Sequence, residues 1–205
     1  MKRKEKISAV IKRLTRVLTA ELEKKDAVRE KALKDCREIT RQAARAIQYV
    51  HQGQISAAEN TIRETLSLLT DTKTNLKNYP EIAFAGFLHN AEKEVVEAVV
   101  FLSCIQKRKF PEPPEFGFNS ISYLHGLAES TGELRRFILD GLRKTEHFQW
   151  EYYLAVMDTI YSFLINFSFS DSLTANLRRQ IDHVRSILEK TRSEVTLASL
   201  FARKK

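Results

Sequence analysis

Turn formers are scarce in this 205-residue chain, which has only 6 glycines and 4 prolines. So few cannot punctuate a many-stranded β-fold, where hairpins and corners call for such residues. A largely helical protein is left. Cysteine is scarcer still. Cys36 and Cys104 stand far apart with no CxxC pair. That excludes a disulfide scaffold and reads as two free thiols in a reducing compartment. No stretch approaches the roughly 18 apolar residues of a membrane span. Charges interrupt the apolar part of the N-terminus, MKRKEKISAVIKRLTRVL, so it lacks the core of a secretory signal. A cytoplasmic protein with no membrane partner is expected, although an amphipathic surface helix stays open for this segment. Several catalytic signatures are also missing. There is no HExxH, P-loop or GxSxG, and no Glu-x-x-His of the kind a di-iron bundle requires. The histidines (His51, His89, His125, His147, His183) are scattered. His89 and His125 lie near acidic segments but read as packing or surface residues.

What is present is globular in balance, with 43% apolar and 29% charged residues. The length suits one domain spanning 1–205. Its charge is uneven. Residues 1–52 carry 15 Lys/Arg against 7 Asp/Glu, and the remainder carries 19 of each. The whole excess of +8 therefore sits in the first quarter. Such a segment attracts polyanions, nucleic acid above all; a solvated basic face is the plainer alternative.

Helical periodicity runs through most of the chain. It predicts helices over 3–24 and 26–51, which can be one helix because no breaker divides them, with Gly53 as the stop. Further helices are predicted over 56–76, 81–106, 120–144, 146–168 and 172–201. Residues 107–118 form the clear loop, Asn119 or Ser120 caps the helix after it, and Ser170 or Asp171 caps the last. The expected fold is all-α, a bundle of six or seven helices. The aromatics of 146–168, among them Phe148, Trp150, Tyr152, Tyr153, Tyr161, Phe163 and Phe167, suit a packed core or subunit interface better than a base-stacking platform.

Two helices carry carboxylates that fit a core poorly. In AFAGFLHNAEKEVVEAVVFLSCI apolar residues point almost all round, yet Asn90, Glu94 and Glu97 line one narrow stripe. Buried carboxylates are costly unless paired or bound to a cation. In SISYLHGLAESTGELRRFILDGLRK, Ser122, Glu129, Glu133, Arg136 and Asp140 share a stripe. Gly126 and Gly132 inside this helix suggest close approach of another helix or a ligand. Two carboxylates from each helix can build an oxygen site for Mg²⁺ or Mn²⁺, and such a site beside a basic face points to phosphodiester hydrolysis. Exposed Glu–Arg pairing is the alternative for Glu129 and Glu133. A row of Lys34, Arg37, Arg41 and Arg45 follows one face of 26–51 and can track phosphates, with Glu30 and Glu38 as competing partners.

Three segments resemble one family. YLHGLAESTGELRRFILDGLR (123–143) resembles the YLLGVADLTGELMR signature of the translin and translin-associated factor X family. AEKEVVEAVVFL (91–102) is similar to the factor X segment QEYVEAVSF, and KDCREIT (34–40) to KLSRDIT. Order and spacing agree over about 25–200. The resemblance implies a bundle of about seven helices, assembled into a closed homo-oligomeric shell, commonly an octamer. Such shells enclose short RNA, single- or double-stranded, or single-stranded DNA. Both glutamates of the factor X segment are present, so the resemblance is to the catalytic branch; the short chain, which lacks the long insertion of eukaryotic factor X, is more similar to the compact archaeal members. The implied activity is that of a metal-dependent endoribonuclease. Glu94, Glu97 and Glu129 would hold the metal. Glu133 would complete the site as a ligand or as a base orienting water. Arg136 would steady the phosphate or a carboxylate, and Lys34, Arg37, Arg41 and Arg45 would line the RNA path. Glu129 stands where the signature has aspartate. A translin-like protein that binds RNA or single-stranded DNA without cutting it is the alternative function.

Overall fold

The computed structural model describes the backbone of residues 2–145 and 148–202 and the side chains of 5–145 and 148–200. His147 and the basic end of the chain lie outside the described residues. Among those described there are nine helices and no strand. Six of the helices are long, as the periodicity implies. Helix α1 (Lys2–His51) is continuous for 50 residues, about 75 Å at 1.5 Å per residue. Its C-terminal half buries Ala32, Cys36, Ile39, Ala43, Ala46 and Val50 against α2 (Ile55–Leu76) and α4 (Phe87–Ile105). Its first turns leave Ile7, Val10, Ile11, Leu14, Val17, Leu18 and Leu22 exposed. Gly53 ends the helix in the left-handed region at φ 73°. That conformation suits a residue without Cβ.

The segment expected as one helix over 81–106 is two. A one-turn α3 (Pro80–Ala83) precedes α4, and Gly86 at φ 92° forms the break. The last helix is divided likewise, into α8 (Asp171–Thr174) and α9 (Leu177–Ala202), with Ala175 and Asn176 at φ 50° and 65°. Ser170 stands before α8 but makes no side-chain cap. The loop 107–118 holds one turn, α5 (Pro113–Phe116), closed by a reciprocal box between Glu112 and Glu115.

Helix α6 (Ser120–Lys144) starts at the expected cap, where the Asn119 side chain accepts from the Ile121 amide at 2.9 Å. It packs on α4, α7 (Glu151–Leu164) and α9. Helix α7 is shorter than the aromatic run predicted. Phe148 lies ahead of it, stacked on Tyr153 and edge-on to Phe137. A Cβ at Gly141 would lie 2.6 Å from the Phe148 ring. The aromatics thus contribute packing, with Tyr153 buried and Phe163 at the surface. Both cysteines are buried and unpaired. Burial pushes the Cys36 thiol up to about 11 and Cys104 up to about 12, so both stay protonated and unreactive at neutral pH. No helix among the described residues is long and apolar enough to cross a membrane.

The most deeply buried carboxylate of α4 is Glu92, at 2% exposure. It is satisfied within the bundle. Lys73 of α2 donates to it at 2.7 Å and the Asn119 amide at 3.0 Å, so it ties α2 to the start of α6. Glu92→Ala should lower the unfolding free energy by about 2–3 kcal/mol, since a buried charged hydrogen-bond acceptor is removed while Lys73 can turn to water. Chemical denaturation checks this, and an unchanged midpoint would show that the pair adds nothing net.

Candidate metal and nucleic-acid site

Helices α4 and α6 meet at Gly126. A Cβ there would sit 2.5 Å from the Lys93 carbonyl oxygen and 2.6 Å from the Val96 Cβ. Glycine lets the two backbones touch, as its place in α6 suggested. The contact aligns the acidic stripes of both helices. One carboxylate oxygen from each of Glu94, Glu97 and Glu129 lies within 4.8 Å of the others. Ligand oxygens around Mg²⁺ at about 2.1 Å are separated by about 3 Å when adjacent and 4.2 Å when opposite. Small side-chain rotations therefore suffice for one hard cation, and an all-carboxylate donor set suits Mg²⁺ or Mn²⁺.

The fourth carboxylate stands apart from these three. Glu133 accepts a hydrogen bond from His51 Nε2 at 2.5 Å, and Arg136 Nη1 lies 3.7 Å from it. His51 closes α1 with its ring 4.9 Å from that of Phe101. The end of α1 thus fixes Glu133 in place. Arg136 is largely exposed. His125 is buried at the edge of the cleft between α6 and α9 and paired with the Thr174 carbonyl at 2.8 Å, and His89 is paired with Ser122 at 2.8 Å.

Lys93 is a participant that periodicity did not reveal. Its ammonium donates to Glu129 at 2.8 Å and lies 3.7 Å from Glu94. Burial pushes the Lys93 pKa down, but the hydrogen bond to Glu129 and the surrounding carboxylates outweigh it and leave it above the ordinary value. Burial raises Glu94, aided by the charge of Glu129 and opposed by Lys93. Glu97 is pushed furthest, up to about 8, by burial first and then by Glu129, Glu94 and Glu133. Its folded form therefore holds a proton that the unfolded chain releases near pH 4.5. Glu97 weakens the metal-free fold as pH rises from there through 8. In EDTA, Glu97→Gln should gain about 2–4 kcal/mol of stability relative to wild type between pH 5 and pH 8.5. A stability difference that does not vary with pH would contradict this.

The cluster opens on a cleft of about 860 Å³ between α6 and α9. Glu97, Glu129 and Gly132 line one side, and Arg179, Gln180 and His183 the other. A Cβ at Gly132 would meet nothing within 4 Å. Gly132 marks the open cleft rather than a helix contact. Lys34, Arg37, Arg41 and Arg45 are all exposed along α1, on the helix that ends in His51. Arg41 is held by Glu38 at 2.9 Å, whereas Glu30 pairs with Arg29 at 2.7 Å and leaves the row alone. Among the described residues, Lys34, Arg37 and Arg45 form no ion pair.

No protein-family model matches the chain. An uncharacterised protein of Methanocaldococcus jannaschii is 35% identical over 179 residues, covering 85% of this chain and 78% of that protein. Among solved structures, C3PO of Archaeoglobus bound to duplex RNA superposes with a TM-score of 0.84 at 32% identity, covering 90% of this chain and 96% of its own. The crystal structure of Archaeoglobus C3PO gives 0.80 at 32% identity over 88% and 94% of the two chains. Apo C3PO of Neurospora gives 0.79 over 88% and 95% at 20% identity, a likeness of fold.

Proposed function

The chain belongs to the translin and translin-associated factor X family, in its compact archaeal form, and from that membership we propose that it is a metal-dependent endoribonuclease. It takes short RNA into a homo-oligomeric shell, an octamer by analogy with the family, and hydrolyses phosphodiester bonds there. One observation carries this reading. Three carboxylates from two helices converge beside an open cleft, in a chain whose structural neighbour holds duplex RNA.

Glu94, Glu97 and Glu129 would hold Mg²⁺ or Mn²⁺. Such an ion lowers the pKa of water and neutralises charge on the phosphate. Glu133, oriented by His51, accepts a proton from the water whose oxygen bonds to phosphorus, while the phosphorus–oxygen bond to the leaving nucleotide breaks and the departing oxygen takes a proton from water in the cleft. Arg136 is placed beside Glu133 to contact a phosphate oxygen. The row on α1 binds flanking phosphates through charge-assisted hydrogen bonds. Its position on a different helix from the carboxylates separates binding from chemistry.

The test is direct. Pure protein is incubated with short labelled RNA, single- and double-stranded, in Mg²⁺, Mn²⁺ or EDTA. Cleavage in a divalent metal and none in EDTA is expected. Salt-sensitive binding with no cleavage under any metal condition would replace this reading with that of a binding protein for RNA or single-stranded DNA.

A further inference from the structure

We propose that Lys93 takes the place of a second cation, so that the carboxylate site holds one divalent ion per chain. The inference rests on the metal reading above and goes beyond it by fixing the ion count from this chain's own residues.

Charge gives the first argument. With all three ionised, as ligands of a cation are, Glu94, Glu97 and Glu129 bring three negative charges together. The Lys93 ammonium, 2.8 Å from Glu129 and 3.7 Å from Glu94, returns one positive charge. Two negative charges remain, which one divalent ion neutralises. Two-ion phosphodiester sites hold their metals about 3.5–4 Å apart and need ligands for both. A second ion would need the oxygens of Glu129 and Glu94 that the ammonium now occupies.

Position gives the second argument. Glu97 and Glu129 line the cleft, whereas Lys93 and Glu94 are not among its lining residues. The ammonium therefore fills the rear of the cluster, and the side at Glu97 faces the cleft. Lys93 is not a surface lysine resting there by chance. Its side chain is 18% exposed, and its carbonyl abuts Gly126 at the helix crossing. Glu129 follows Gly126 by three residues, on the same face of α6. The crossing thus fixes both partners of the pair.

The segments compared above give a third argument. Lys93 stands where QEYVEAVSF has glutamine, and Glu129 stands where the signature has aspartate. These two departures are each other's partners at 2.8 Å. The extra methylene of Glu129 lets one carboxylate serve both the ammonium and the cleft.

The experiment counts ions. Full-length protein is stripped with EDTA, dialysed and titrated with MnCl₂. Bound ion is read by calorimetry and free ion by electron paramagnetic resonance. Wild type should bind one Mn²⁺ per chain at the site, and Glu97→Gln should lose it. Lys93→Arg should bind one and Lys93→Gln two. Circular dichroism monitors folding, and Lys93→Met, which keeps the apolar stem, gives the same count should Lys93→Gln fail to fold. Two ions in wild type or Lys93→Arg, or one in both neutral variants, overturns the inference and leaves the metal reading intact. Wild type that binds no Mn²⁺ overturns the metal reading, and this inference falls with it.

Discussion

Replacing Glu94 and Glu129 together by alanine should reduce RNA cleavage by about 10³-fold or more while RNA binding stays within about threefold. The two residues supply one carboxylate from each helix of the cluster. Losing both leaves Glu97 alone, too little to hold a hard divalent ion that wants several oxygen ligands. The proposed phosphate contacts are on α1 and are untouched by the change. Folding should survive it as well. Glu94 and Glu129 are a quarter to a third exposed, and removing them relieves repulsion on Glu97. A gel cleavage assay in Mg²⁺ and a binding measurement in EDTA read the two properties separately. Equal loss of cleavage and binding would place Glu94 and Glu129 in RNA recognition or folding instead of catalysis.

Local signals carried most of the fold. The cap of α6 was legible to within one residue, Asn119 or Ser120, because a short side chain with an acceptor before an apolar period suits that role. The lack of any Gly or Pro before Gly53 allowed the continuity of α1 without requiring it. The break before α4 was also marked, by Gly86, but one glycine in a periodic stretch is ordinarily tolerated; only the backbone shows φ 92° there. The break at Ala175 and Asn176 was marked only by Asn176, since asparagine tolerates positive φ and alanine has no preference for it.

The candidate site divides in the same way. The stripes of α4 and α6 were visible as helical spacing. Their partners were not, because those come from distant parts of the chain. Glu92 is satisfied by Lys73, 19 residues earlier, and by the Asn119 amide, 27 residues later. Its deep burial could not be told from that of its neighbours. Glu133 is reached by His51 across 82 residues, a partner that spacing along α6 could not show. Lys93 adjoins Glu94 in sequence, yet adjacent residues on a helix do not face each other. Its hydrogen-bond partner is Glu129, 36 residues on.

Replacing Lys34, Arg37, Arg41 and Arg45 by alanine should weaken RNA binding by about 10²-fold at 0.15 M salt. It should also reduce the slope of log affinity against log salt by about 3, because each neutralised phosphate contributes somewhat less than one unit. The single variants should not be equal. Arg41 must give up Glu38 before it meets a phosphate, and that hydrogen bond holds the Glu38 carboxyl below its ordinary range. Arg41→Ala should therefore cost least of the four. Glu38→Gln should tighten binding a few-fold by releasing the guanidinium. Cleavage separates this face from the carboxylate site once more. At saturating RNA the fourfold variant should keep its kcat and show a raised KM, since interactions made equally in ground and transition states move KM alone. Were the row only a solvated face of α1, affinity and salt slope would both stay at the wild-type values, and the positive charge of the first quarter would have to act elsewhere.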